Sequence, residues 1–359
     1  LRWAMHRTSS PGILPTISVI VVGRNEEWLI RPCLESLIRL DYPHDKLELC
    51  YVDDHSTDGT LGIGRKIAEG SSNLTVHSAP PCPTGIGPKK NALAHGISQT
   101  SGEILMFTDA DCVVQPGWVK ALLETYTERT GAVAGATVPQ EDSLLSGKLY
   151  RLERLLVHYT SASAIGWGSP ASVSGTNFSY RRCVYDQIGG IAHADFPSGD
   201  DDLMAQAIHR QGWEIGFAQG TDSVVTDMRP FNPFRMVRAT IRHQSTIRFY
   251  PWFWRIAYIA TILSYGLLIG VCFLALLSNQ MLFVLILTAL GLRAILDGWG
   301  LKTFIKPLRI HVSVADFIRT ELLLPLFSIV RPLLAIVQGF SWKDRIHRSA
   351  HHLTTETLS

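Results

Sequence analysis

The chain has 359 residues, a net charge of +2 and 46% hydrophobic residues. That length suits one large domain or two modest ones, and a charge so near neutral argues against a basic nucleic-acid binder. Its six cysteines (Cys33, Cys50, Cys82, Cys112, Cys183 and Cys272) include no C-x-x-C pair, which speaks against a zinc site or disulfide framework and for buried free thiols in a reducing compartment.

Residues 1–13 are a short basic segment broken by Ser9-Ser10-Pro11-Gly12, not the pattern of a signal peptide. The sequence opens on Leu1, so an upstream segment, a membrane helix included, is an open expectation. Thr16–Val22 is a β-branched run that predicts a central strand. Gly23–Glu27 follows as a loop, and Leu29, Cys33, Leu34, Leu37 and Ile38 recur at helical spacing up to Tyr42-Pro43. Leu47–Val52 predicts a second strand and Asp53–Thr60 a loop rich in turn and cap residues. A helix near 61–69, a strand near 73–77, a Pro/Gly-rich loop at Pro80–Pro88 and a helix opened by Lys89-Lys90 come next. Ile104–Phe107 predicts a buried strand. Residues 131–139 read as one further strand, 143–165 as a helix, Gly175–Arg182 as a strand or loop, and Ser198–Leu203 as a turn into a helix ending near Gly212. Strands alternating with helices predict an α/β domain over 14–250 with a mostly parallel, Rossmann-like sheet. Ligands in such sheets sit at the carboxyl ends of the strands, so the loops at Asn25, Asp53 and Asp109 should converge.

Residues 251–342 read as a membrane domain. Ile256–Leu277 is 22 residues without charge, enough to cross about 30 Å of hydrocarbon, with Trp252, Trp254, Arg255 and Tyr258 as interfacial anchors. Helices are expected at about 254–277, 281–297 and 321–340. Arg293 interrupts the second; Pro325, Arg331 and Pro332 interrupt the third. Three full crossings would put the basic tail 343–359 on the outer side, against the positive-inside rule, so the third segment is expected to be re-entrant, interfacial or packed on protein.

Asp109-Ala110-Asp111 closes the Ile104–Phe107 run. Two carboxylates one residue apart at a strand's end can hold a hard divalent cation, Mg2+ or Mn2+, and such a cation would neutralise a diphosphate. The alternative is a pair of solvated carboxylates at a turn. The remaining motifs decide the matter: Ser18–Glu26, Val52–Thr60, Lys89–Leu93, Thr108–Asp111, Gly175–Phe178 and Gly199–Asp201, in this order over residues 14–250, resemble the inverting GT-A glycosyltransferases of family 2. The apolar helices after them resemble a membrane-bound branch of that family.

The resemblance implies a GT-A nucleotide-diphospho-sugar transferase fold and a role for each motif. Asp53 or Asp54 would bind the base and ribose of the donor, a carboxylate suiting an imide N–H because it only accepts hydrogen bonds. Asn25 and Glu26 would line the base pocket, while Asp58 caps the next helix. Lys89 or Lys90, at a helix start, would meet a phosphate. Asp111 would ligate the metal directly and Asp109 would contact the donor, either itself or through that metal. Asp201, with Asp200 second, would take the acceptor hydroxyl's proton during inversion. Gly175, Thr176 and Asn177 would lie on the acceptor or sugar side, where Trp167, set between Gly166 and Gly168, could stack on a sugar.

One departure bears on the product. Polymer synthases of the family carry a Gln-x-x-Arg-Trp signature; here Arg242-His243 stands at the Arg-Trp position and Ala239 at the Gln position. Arg242 would still reach the diphosphate. The expectation is therefore a metal-dependent, inverting transferase in the cell (inner or plasma) membrane, multi-pass, with its domain on the cytoplasmic side. It would move a sugar from a UDP-sugar to a hydroxyl of a lipid or lipid-linked acceptor. The alternatives are a processive polysaccharide synthase and a non-catalytic membrane scaffold or nucleotide-sugar sensor.

Overall fold

Alternating aliphatic residues leave the three central strands apolar on both faces, and the computed structural model covers both with helices. It describes residues 14–83, 86–190, 201–233, 250–278, 280–323, 341–342 and 345–346. In chain order the elements are β1 (Ile17–Gly23), α1 (Ile30–Ile38), β2 (Leu47–Asp53), α2 (Thr60–Ala68), β3 (Leu74–Ser78), α3 (Pro88–Ser98), β4 (Ile104–Asp109), β5 (Cys112–Val113) and α4 (Trp118–Leu123). Then come β6 (Thr130–Ala134), β7 (Thr137–Pro139), α5 (Leu145–Gly166), β8 (Phe178–Arg181), α6 (Arg182–Ile188), α7 (Asp202–Arg210), β9 (Glu214–Phe217) and β10 (Val225–Asp227).

Seven strands make one sheet in the order β3-β2-β1-β4-β8-β6-β9. Strand β8 runs antiparallel to β4 and β6, and the other neighbours are parallel. The mostly parallel sheet read from the sequence is therefore present. Ile17, Val19 and Val21 of β1 pack with Ile30, Leu34 and Leu37 of α1 and Trp118 and Leu122 of α4. Ile20 and Val22 point the other way, toward Ala92, Leu93 and Ile97 of α3 and the buried faces of α5 and α7. Each such buried aliphatic side chain contributes about 1.5–3 kcal/mol.

The single strand expected over 131–139 is two. At Gly135 and Ala136 the chain leaves the large sheet (β6) and enters a small one in which β10 pairs with both β5 and β7. The Gly135 N–H donates to the Asn177 carbonyl at 2.9 Å, and a Cβ at Gly135 would collide with the Asn177 side chain. Glycine is required there by close approach, not by a turn.

The chain divides into two units, Leu1–Pro230 with Leu292–Thr320, and Phe231–Gly291 with Glu321–Ser359. Helix α8 (Trp252–Ser278) lies in the second and α9 (Gln280–Leu308) enters both. Trp252–Ala275 and Met281–Leu308 are long and apolar enough to cross a membrane by length and composition. Leu263, Leu267, Phe273 and Leu277 are all more than 60% exposed, as a helix apolar all round requires of its surroundings. Helix α9 does not stop near residue 297 as expected. Gly300, Leu301, Phe304 and Leu308 form a buried stripe at helical spacing beside exposed Lys302 and Lys306, and Phe304 packs on Tyr159 and Phe217 of the first unit. Of the third expected helix, residues 321–323 continue a helix begun at 314, and 324–340 lie outside the described residues.

Candidate active site

Register brings the predicted loops together. Gly23 of β1 pairs with Asp53 of β2, and Val22 pairs with Asp109 of β4, so three adjacent parallel strands end at one edge. A Cβ on Gly23 would lie 2.8 Å from that of Ala110, so glycine lets β1 end directly against the Asp109–Asp111 turn.

The first two loops are tied to each other. Asn25 N–H donates to Ser56 Oγ at 3.0 Å, Glu26 N–H to Thr60 Oγ1 at 2.7 Å, and Thr57 N–H to Asn25 Oδ1 at 2.8 Å. Asn25 and His55 sit at φ 53° and 58°, a left-handed conformation that costs a non-glycine residue energy and concentrates at functional loops. Asp53 and Asp54 are each 1% exposed. Asp53 accepts from Ser56 N–H at 2.9 Å and from the Tyr51 hydroxyl at 3.2 Å; Asp54 Oδ1 lies 3.1 Å from His55 Nδ1. Asp58 accepts from Thr60 N–H at 3.0 Å, the capping role expected of it.

The third loop meets α3. Lys89 Nζ is 2.9 Å from Asp109 Oδ1, and Lys89, Thr108, Asp109, Gly175 and Asp201 line one cleft, with Phe107 and Tyr180 as its aromatic wall. Of the lysine pair it is Lys89 that reaches the cleft, since Lys90 is buried. Thr108 is 3% exposed, and among the described residues its hydroxyl oxygen has no hydrogen-bond partner. A buried polar atom with none at the wall of a cleft invites a ligand.

The acidic run before α7 divides its labour. Asp202 is buried and accepts from Ser172 Oγ and Val173 N–H at 2.8 and 2.9 Å, fastening that segment to α7. Asp201 accepts from Gly175 N–H and Asp202 N–H, both at 2.8 Å, while lining the cleft. The two backbone donors fix the direction of the carboxylate. Asp200 and Arg242 lie outside the described residues. Thr176 Oγ1 bonds Thr137 Oγ1 at 2.6 Å. The Asn177 amide is used inside the protein: it accepts from Trp118 Nε1 at 3.0 Å and donates to the Ala136 and Ser223 carbonyls at 2.9 and 2.8 Å. Trp167 is 76% exposed just past α5 and does not line the cleft.

Two charged residues escaped the reading of the sequence. The Arg229 guanidinium pairs with Glu26 Oε1 and Asp111 Oδ2, and its backbone N–H donates to Asp227 Oδ1 at 2.9 Å. Burial alone would lower the Arg229 pKa, but Asp111, Glu26, Asp109 and Asp227 outweigh it and raise it. Asp227 is pushed up to about 6 by burial and then by Asp111. The signal for both was local, an acid and a base flanking Met228 before Pro230, but nothing in that spacing names a partner some 200 residues away.

The donor set suits a hard divalent cation, since Asp109, Asp111, Asp227 and Glu26 offer only carboxylate oxygens. Burial, then Asp111 and Asp109, raises the Cys33 and Cys112 thiols, so neither is a thiolate. Among the described residues no three acidic, His or Cys groups are gathered as a metal cage, and one Asp111 oxygen is committed to Arg229.

Comparison with known proteins bears on the family and the fold. Residues 18–189 match the profile of Glycosyl transferase family 2, and residues 104–301 that of Glycosyl transferase family group 2. The chain is 28% identical over 208 residues to the probable glycosyltransferase YdaM of Bacillus subtilis (strain 168), covering 57% of this chain and 49% of that protein. It is 27% identical over 208 residues to the beta-monoglucosyldiacylglycerol synthase of Nostoc sp. (strain PCC 7120), covering 57% and 43%. These matches thus span about half the length of the curated relatives or less. Among solved structures, the mannosyltransferase PcManGT from Pyrobaculum calidifontis, in complex with GDP-Man and Mn2+, superimposes with a TM-score of 0.60 at 20% identity over 93% of this chain and 91% of that one. At that identity the likeness speaks for the fold alone, which is GT-A.

Proposed function

The chain belongs to glycosyl transferase family 2, and from that premise we propose that it transfers a sugar, with inversion, from a UDP-sugar to a hydroxyl of a lipid or lipid-linked acceptor. The observation that carries this reading is the cleft in which Lys89, Asp109 and Asp201 meet. Asp201, held by two backbone N–H groups, takes the acceptor hydroxyl's proton as that oxygen attacks the anomeric carbon. Lys89 opens α3 beside the cleft and offers its ammonium, with the helix N-terminus, to the departing diphosphate. The loops at Asn25-Glu26 and Asp53-Asp54 hold the base and ribose.

Asp111 and Asp109 would hold a divalent cation, which supplies Lewis-acid stabilisation of the leaving diphosphate. The Mn2+ in the complex of the mannosyltransferase neighbour supports metal use. A lipid-side acceptor is supported by the two apolar helices and by the diacylglycerol-based product in the name of the Nostoc relative. Those helices anchor the protein in the cell membrane as a multi-pass protein, with the domain on the cytoplasmic side where nucleotide sugars are made.

The test is nucleoside-diphosphate release from a panel of UDP- and GDP-sugars. It uses membranes containing the protein and a lipid extract, with Mg2+, Mn2+ or EDTA. Metal-dependent release from one UDP-sugar, lost in Asp111→Ala and Asp201→Asn, is expected. A GDP-sugar preference would correct the carrier, and release that EDTA leaves unchanged would remove the metal. Addition of one sugar per lipid separates this activity from a processive synthase.

A further inference from the structure

Glu26 and Asp111 are 7% and 6% exposed. Carboxylates so deeply placed need a cation, because an unpaired buried charge costs several kcal/mol. That cation is Arg229, which reaches both from the end of β10. Its backbone is pinned: Met228 N–H donates to the Asp111 carbonyl at 2.9 Å, Gln140 N–H to the Asp227 carbonyl at 2.8 Å, and Gln140 Nε2 to the Met228 carbonyl at 2.8 Å. The anchor is rigid, so the mobile part is the guanidinium on its long side chain, which stays charged at any working pH.

We propose that Arg229 is an internal counter-cation that competes with the divalent metal for Asp111 and Glu26, and so sets the metal affinity of the site. This rests on the metal reading above. The Asp111 Oδ2 that pairs with Arg229 Nε is an oxygen the metal would use, and one carboxylate oxygen does not serve a guanidinium and a dication at full strength together. Metal binding is thus an exchange of partners, and a displaced guanidinium is a planar fork suited to phosphate oxygens. Such an exchange couples metal loading to donor arrival: a bare cation must overcome Arg229 unaided, whereas a nucleoside diphosphate gives the guanidinium somewhere to go.

The test is Mn2+ titration of the full chain in detergent, followed by electron paramagnetic resonance of free Mn2+, without nucleotide. The wild type is compared with Arg229→Met, Arg229→Lys and Asp111→Asn. Arg229→Met should bind Mn2+ at least about tenfold more tightly, the equivalent of about 1.4 kcal/mol. Arg229→Lys, whose single ammonium cannot fork across both carboxylates, should bind severalfold more tightly and guards against misfolding of the methionine variant. Thermal melts supply a second reading: Mn2+ should raise the Tm of both arginine variants more than that of the wild type, because it replaces a lost cation. Asp111→Asn should abolish binding in every background. Wild-type binding with equal or weaker affinity in both arginine variants would overturn the competition and leave the metal reading standing. Absence of Mn2+ binding in all proteins, with UDP present as well as absent, would overturn both.

Discussion

The two edges of the cleft, proposed above to take the donor and the acceptor and called here the donor edge and the acceptor edge, are built by different rules. At the donor edge, β1, β2 and β4 are neighbours in one parallel register, and their loops bond to each other over separations of about 30 residues, as Asn25 does to Ser56 and Glu26 to Thr60. At the acceptor edge the chain reverses into β8, switches sheets at Gly135, and is fastened by single side chains such as Asn177 and Asp202. A parallel sheet delivers its loops to one edge by topology alone. The antiparallel insertion has no such rule, so buried polar bonds fix its shape. Donor-side residues are therefore expected to fail in chemistry when changed, and many acceptor-side residues to fail in folding.

The largest expected effect tests the one acceptor-side acid exempted from that rule. Asp201→Asn keeps an oxygen for only one of the Gly175 and Asp202 N–H groups, which bond different carboxylate oxygens, and it cannot take a proton. Turnover should fall by about 10³-fold or more, with UDP affinity by calorimetry within error of the wild type and stability lowered by only about 1 kcal/mol for the one backbone hydrogen bond lost. Activity within tenfold of the wild type would return Asp201 to the structural set with Asp202.

Asn177→Ala presses the other side of the comparison. The substitution strands the Trp118 indole N–H and the Ala136 and Ser223 carbonyls in a buried setting. The expected loss is about 3 kcal/mol of stability, read by denaturant unfolding, with donor and acceptor KM unchanged in the folded fraction. A normal melt with a raised acceptor KM would restore the substrate role that its motif implies.

That residue marks how far the sequence was legible. The mostly parallel sheet and the convergence of the Asn25, Asp53 and Asp109 loops followed from periodicity and from the rule for parallel sheets, whereas the strand order and the pairing of Lys89 with Asp109 came only with the structure. The sheet switch at Gly135 did not follow either, because a run such as 131–139 looks the same whether it stays in one sheet or changes. Nor did Arg229, whose pairing with Glu26 spans 203 positions; local pattern carries no information on which end of the chain will neutralise a buried acid. The inward stripe of α9 at Leu301, Phe304 and Leu308 was hidden by the apolar run before it, which matched a membrane span more simply.

Acid should also separate the two edges. His158 of α5 is 2% exposed, with Nε2 2.8 Å from the Thr137 carbonyl oxygen and 3.1 Å from its backbone nitrogen. Burial, then the nearby Arg154, lowers its pKa from 6.5 to about 3. The folded state thus holds it neutral while the unfolded chain protonates it. Its contribution is complete above pH 6.5 and is lost as pH falls toward 3, by about 2 kcal/mol between pH 6.5 and 5. His158→Gln should start less stable at pH 7.5 and converge with the wild type near pH 5. Parallel curves would show that the acid sensitivity lies elsewhere.

The smallest effect is the sharpest, because its two readings part on a single kinetic constant. Thr108, next to last in β4, carries a buried hydroxyl that has no partner among the described residues, at the wall of the cleft. Valine matches its shape and removes only the polar atom. If the hydroxyl serves packing alone, Thr108→Val relieves an unmet hydrogen bond and raises stability by up to about 1 kcal/mol, with kinetics unchanged. If it reads a hydroxyl of the donor sugar, the same gain in melting temperature should come with a donor KM raised about fivefold, restored by Thr108→Ser. Stability rises on both readings and only the KM decides, so a single variant separates a residue of the donor edge from one that merely completes its strand.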